Sequence, residues 1–268
     1  MGNRLLGLIV LSLGLLFAPT AASDADTPPE TVVNTLGSLK VSFWGIAGGY
    51  YPDSVGSPRG VVEDLAKHAA EVDAILGYGK TSPENRETLA TYLLADLGRF
   101  TDRFKPETAV DETLLAAKWR NKGEVPWYGL TVDAYLLLEL ARDDGSPASA
   151  RRALSSIADA EESIADFFRQ RCLYQRSQSP DEAGQEEEIG PVGSTPGAEL
   201  AWCCERLLVS RYPDERFSSL PGASRVVAEY REWRKSTLLE RRIEDDWLPV
   251  DLELDTMQYV RRLVAALP

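Results

Sequence analysis

The chain has 268 residues, 44% of them hydrophobic and 26% charged, with a formal net charge of −13. That composition is ordinary for a globular protein and excludes a disordered or fibrous chain, and a core of this size needs no disulfide or metal to hold it. So acidic a molecule repels nucleic-acid phosphates and anionic lipid heads, which argues against nucleic acid as a partner.

Residues 1–22 read as a secretory signal peptide. Arg4 and the α-amine supply the positive end, Leu5 to Phe17 the apolar run, and Thr20-Ala21-Ala22 the small residues for cleavage before Ser23. A membrane span needs roughly 17 to 25 residues, more than this run offers. The expectation is an exported protein, periplasmic or secreted, with no stable membrane insertion after cleavage.

Residues 23–56 form an N-terminal lead-in. Ser23 to Glu30 is polar and contains Pro, Thr31 to Tyr51 has no clear period, and Leu39 to Trp44 within it fits a short strand or a helix end. Gly45 to Gly60 then holds five Gly, two Tyr and two Pro and reads as a loop. Trp44, Tyr50, Tyr51, Asp53 and Arg59 stand here, just ahead of a helix start. Aromatic faces with polar groups suit a sugar or a peptide, so they form a candidate binding set. The Gly and Lys spacing of a phosphate loop or dinucleotide motif is absent.

From residue 57 to 268 the pattern is helical. Ser57-Pro58, Ser82-Pro83, Ser146-Pro147 and Thr195-Pro196 each precede a helical period. The hydroxyl caps free N–H groups, and Pro fits the first turn because its missing N–H would have no partner there. Thr81 to Glu84 also fits a capping box. The predicted helices are 58–77 (Val61, Val62, Leu65, Ala69, Val72 and Leu76 inward), 83–104, 107–121, 126–142, 147–176, 196–211, 222–243 and 251–266.

The helix at 126–142 is apolar all round, which places it in the middle of a domain. The fold predicted is all-α: seven to eight helices packed around this central helix, in a single domain. A polar acidic loop at 177–195 is expected to be mobile. Helices 196–211 and 222–243 resemble a tetratricopeptide hairpin, and helices 126–142 and 147–176 resemble hairpins of α/α-toroid carbohydrate enzymes. Neither pair carries a diagnostic motif, and no family is assigned.

Chemistry is suggested by carboxylates inside apolar patterns. Asp133 and Glu139 lie on different sides of the central helix, and Glu161 falls between Ile157 and Ile164 in the stripe of the next. A buried carboxylate needs a partner, or it takes up a proton. As an acid/base pair these three would suit a carboxylate-dependent hydrolase or lyase acting on glycans. As structural acids they would pair with Arg or be capped by Tyr; Tyr135, Arg142, Arg151 and Arg152 are near in sequence.

His68, the only histidine, lies off its stripe, with Asp64 and Glu71 one turn away, and reads as a boundary residue. No Gly-x-Ser-x-Gly surrounds any Ser, and adjacent Cys203 and Cys204 lack a zinc spacer, so no metal or cofactor is expected. Cys172 could bridge to Cys203 or Cys204, or all three could be buried thiols. The basic residues of 222–243 suit either a docking face or pairing with nearby acids. The leading functional expectation is a noncatalytic binding or protein-interaction module, its partner another protein or a small ligand or glycan. The glycan hydrolase or lyase is the alternative.

Overall fold

The apolar run beginning at Trp127 forms one helix to Asp144, and it is surrounded. In the computed structural model, which describes residues 27–45, 65, 67–103, 127–178, 196–241 and 250–268, every side chain from Leu130 to Leu138 is buried. The described helices, in chain order, are α1 (Glu30–Gly45), α2 (Ala69–Thr81), α3 (Pro83–Arg103), α4 (Trp127–Asp144), α5 (Pro147–Gln178), α6 (Pro196–Val209), α7 (Tyr212–Arg216), α8 (Pro221–Arg241) and α9 (Val250–Ala266). Helix α4 packs against α1, α2, α3, α5 and α6, and α6 in turn carries α7, α8 and α9 on its far side. The result is an all-α domain with one continuous core, and α4 is its axis.

Two differences from the sequence reading concern the first helices. Leu39 to Trp44, open between a strand and a helix end, is the C-terminal end of α1 and not a strand, and the helix buries Leu36, Leu39 and Lys40 on one face. The predicted helix 58–77 is interrupted. His68 leaves the helical region at ψ 42°, its N–H closing a tight turn onto the Leu65 carbonyl, and α2 starts afresh at Ala69. Ala69, expected inward, is therefore exposed. His68 itself is a partly exposed boundary residue 4.0 Å from Glu71. The expected helix 107–121, the signal peptide 1–22 and residues 179–195 of the acidic loop lie outside the described residues, as do the side chains of Ile164 and Cys172.

The Ser-Pro starts behave as their chemistry dictates. The Ser82 hydroxyl accepts from the Asn85 N–H at 3.1 Å, and the Ser146 hydroxyl from the Ser149 N–H at 3.1 Å. Thr81 is not the cap of a capping box; its hydroxyl donates back to the Tyr78 carbonyl instead.

Between α4 and α5 the chain reverses at Gly145, whose φ of 74° is the left-handed value that ends helices. A Cβ there would also lie 2.8 Å from the Arg216 guanidinium carbon. Asp144 beside it accepts from Ser149 Oγ at 2.6 Å and from Arg86 Nη1 at 2.9 Å. The Ser149 and Ser146 hydroxyls, with Arg86 behind them, hold the Asp144 carboxyl below the usual carboxylate range. A depressed pKa adds stability that is present above the unfolded value and is lost as pH falls through the folded one. Urea midpoints should therefore drop between about pH 5 and pH 2.5, and Asp144→Asn should flatten that drop. Parallel profiles for the two proteins would show that this acid contributes nothing to acid sensitivity.

Candidate functional site

The three carboxylates suggested by the sequence are positioned by α4 and α5, and each turns to a different neighbour. Asp133 is fully buried and meets α1: Lys40 Nζ lies 2.7 Å from its Oδ1 and 2.8 Å from Oδ2, with only Oδ2 aligned for a hydrogen bond. Glu139, nearer the surface, is bound by Arg142 one turn along α4 and lies 3.9 Å from Arg206 of α6. Glu161, 1% exposed, accepts from Arg261 Nη2 of α9 at 2.6 Å. These pairings give each acid a cation of its own.

A fourth carboxylate, which the sequence reading missed, joins the first. Asp96 of α3 is bonded by the same Lys40 ammonium and, on its other side, by Arg99. Lys40 thus bridges two acids in the core where α1, α3 and α4 meet. Burial opposes the lysine's charge, but Asp133 and Asp96 more than offset it, so its pKa is raised. Asp133 goes well up because full burial outweighs the pull of Lys40 and Asp96 adds repulsion. Burial also works against Asp96, yet Lys40 and Arg99 hold that carboxyl below its ordinary value. The two acids separate in this way because Asp96 has the second cation and Asp133 does not. Such a cluster neutralises itself, and that is how a core accommodates charge.

Other buried polar groups follow the same rule. Thr131 of α4 donates to Glu199 of α6 at 2.6 Å. Glu205 of α6 is bonded by Arg234 of α8. The Tyr230 hydroxyl, pushed up by burial, faces Glu205 and Thr256. Arg231 donates to the Leu208 and Ser210 carbonyls at 3.1 and 2.7 Å, closing the free end of α6, and pairs with Asp214 at 2.8 Å. Arg225 faces Glu229 at 3.7 Å. The arginines of α8 that looked like a docking face are thus answered by acids within the fold, at Arg225, Arg231 and Arg234.

Cys203 and Cys204 are free, buried thiols; the side chain of Cys172, the other half of the possible bridge, is outside the described residues. Cys203 Sγ lies 3.9 Å from the Thr131 carbonyl, where α6 packs on α4. Burial raises both thiols, which leaves them protonated and unreactive.

The candidate binding set fares differently. Trp44 falls in the last turn of α1; its side chain, and Tyr50, Tyr51, Asp53 and Arg59, lie outside the described residues.

Described residues line at least two surface recesses. The smaller, about 20 Å³, sits between α4 and α6 under Arg206, whose guanidinium stacks 4.9 Å above the Tyr135 ring. It has room for about one water. The larger, about 110 Å³, opens where α3, α4 and α5 meet. Its floor is aliphatic, from Ala90, Leu94, Leu137, Leu140, Ala141 and Ala153, and its rim carries Arg86, Glu87, Asp144 and Arg152. Among the described residues, no group of three or more His, Cys, Asp or Glu could hold a metal ion. Comparison with family models, with curated proteins and with solved structures finds no match, so function is argued from these residues alone.

Proposed function

We propose that this chain is an exported, noncatalytic binding or protein-interaction module, acting in the periplasm or outside the cell. The observation that supports binding over catalysis is the separate pairing of the three acids found in apolar patterns: Asp133 with Lys40, Glu139 with Arg142, Glu161 with Arg261. A glycosidic acid/base pair needs two carboxyl groups facing one cleft, about 5 to 10 Å apart. Acids tied to different cations from different helices organise a core instead. The larger recess, with its aliphatic floor and charged rim, has the chemistry of a contact site for a protein side chain or a small ligand. Export rests on the N-terminal pattern of Arg4, the apolar run and the small residues before Ser23. No described helix is long and apolar enough to cross a membrane.

The test is a panel of peptides, amino acids and oligosaccharides offered to the mature protein, read both as thermal shift and as product release. The expected result is a saturable shift with no turnover, unchanged in Glu139→Gln. Oligosaccharide cleavage or elimination that disappears in Glu161→Gln, with the fold intact by circular dichroism, would overturn the reading in favour of a glycan hydrolase or lyase.

A further inference from the structure

We propose that the recess between α3, α4 and α5 binds a free α-amino acid with a branched aliphatic side chain, of the size of leucine. The proposal rests on the binding reading above and deepens it by naming the ligand class.

Size is the first argument. The recess holds about 110 Å³. An engineered cavity of about 150 Å³ takes benzene, so this one suits four or five aliphatic carbons. Six of its lining residues are Ala or Leu, with Pro83 and Ser149 beside them, so an aliphatic side chain finds mainly apolar contact there.

Charge is the second. The rim has two cations and two anions, Arg86 and Arg152 against Glu87 and Asp144. They are joined across the helices, Arg86 to Asp144 at 2.9 Å and Arg152 to Glu87 at 2.6 Å. A ligand of net charge would leave one rim charge unbalanced as water is excluded. A zwitterion meets both signs and leaves the total unchanged.

The third argument is a donor without an acceptor. Arg86 Nε is buried and has no hydrogen-bond partner, although Nη1 of the same guanidinium is engaged by Asp144. Such a donor costs free energy until a carboxylate or carbonyl oxygen meets it. A turn of the guanidinium toward the recess would bring this donor to an α-carboxylate above the floor. Asp144, kept ionised by the Ser149 and Ser146 hydroxyls, is placed to receive the ammonium.

The experiment is isothermal titration of the full chain with four probes: L-leucine, isovalerate, isoamylamine and N-acetyl-leucine amide. They share the aliphatic group and carry both charges, the anion only, the cation only, or neither. Leucine should bind, and each of the others should bind roughly tenfold to a hundredfold more weakly, the loss carried by a charged hydrogen bond. Arg86→Gln should weaken leucine to a similar degree. Because that change also breaks a rim ion pair, Ala90→Leu is the second variant; it fills the floor and should abolish binding while the melting temperature stays near wild type. Absence of leucine binding would overturn the proposal, as would equal binding in Ala90→Leu. Isovalerate or the capped amide binding as tightly as leucine would also overturn it, the second by pointing to a peptide. None of these outcomes touches the noncatalytic reading, which fails only on turnover.

Discussion

Lys40→Met is expected to lower the stability of the protein by about 3–5 kcal/mol at pH 7, the range found when one partner of a buried ion pair is removed. The lysine is 4% exposed and contacts Asp96 and Asp133 together. Met matches its length and keeps its methylene packing, so the loss is chiefly electrostatic. Arg99 still serves Asp96, but Asp133 is left with no described cation. A typical domain has about 5–15 kcal/mol in total, so the change consumes a large part of the margin.

The sign of the pH dependence distinguishes this account from simple mispacking. Without Lys40 both carboxyl pKa values rise in the folded state, which then binds more protons than the unfolded chain. Stability must therefore recover as pH falls toward about 4–5 and decline as pH rises above it. Adding Asp133→Asn to Lys40→Met should restore part of the loss at pH 7 and reduce the dependence to the share that Asp96 carries. Urea titrations at pH 4.5 and pH 7 are sufficient. A loss under about 1 kcal/mol, equal at both pH values, would mean that water already solvates the cluster.

The second large effect belongs to the axis of the domain. Leu136→Ala should cost about 2–5 kcal/mol, because Leu136 is fully buried in α4 and helices close around it on every side. The spread reflects how far neighbours can collapse into the space. Five packed partners leave little room for that, which favours the upper half. The control is Val209→Ala at the end of α6, where the side chain is 47% exposed and the change should stay within about 0.5 kcal/mol. Chemical denaturation of both variants tests the contrast. Equal losses would deny α4 its central place.

What the sequence made legible was local. The Ser82 and Ser146 caps, the extent of α4 and the burial of Asp133 and Glu161 all follow from residues within a turn or two of one another. Arg142 could be named as a partner for Glu139 because they sit three residues apart on one helix. The partners of the other acids could not be found in this way. Lys40 is 93 residues from Asp133, and Arg261 is 100 from Glu161. Arg152, near Glu161 in sequence, pairs with Glu87 instead. The signal for Lys40 was also masked by its surroundings. Val41, Phe43 and Trp44 favour strands, so Leu39 to Trp44 stayed open between a strand and a helix end, and no inward face could be assigned to Lys40. In a helix the same lysine faces inward beside Leu36 and Leu39. The recess escaped for a similar reason: its walls come from three helices, none of which carries it alone.

The Lys40 bridge also sets an order of events. On a ribosome the chain appears from its N-terminal end, so α1 exists well before α3 and α4 do. Its lysine faces what will become the interior, yet it has nothing to meet there until Asp96 and then Asp133 have been synthesised. Contacts across such separations close large loops, and the entropy of closing them must be met before any reward arrives. The first described helix is therefore not locked before α3 and α4 exist. Until α4 has been made, the nascent N-terminal segment keeps a charged, water-loving side chain on the face it will later hide.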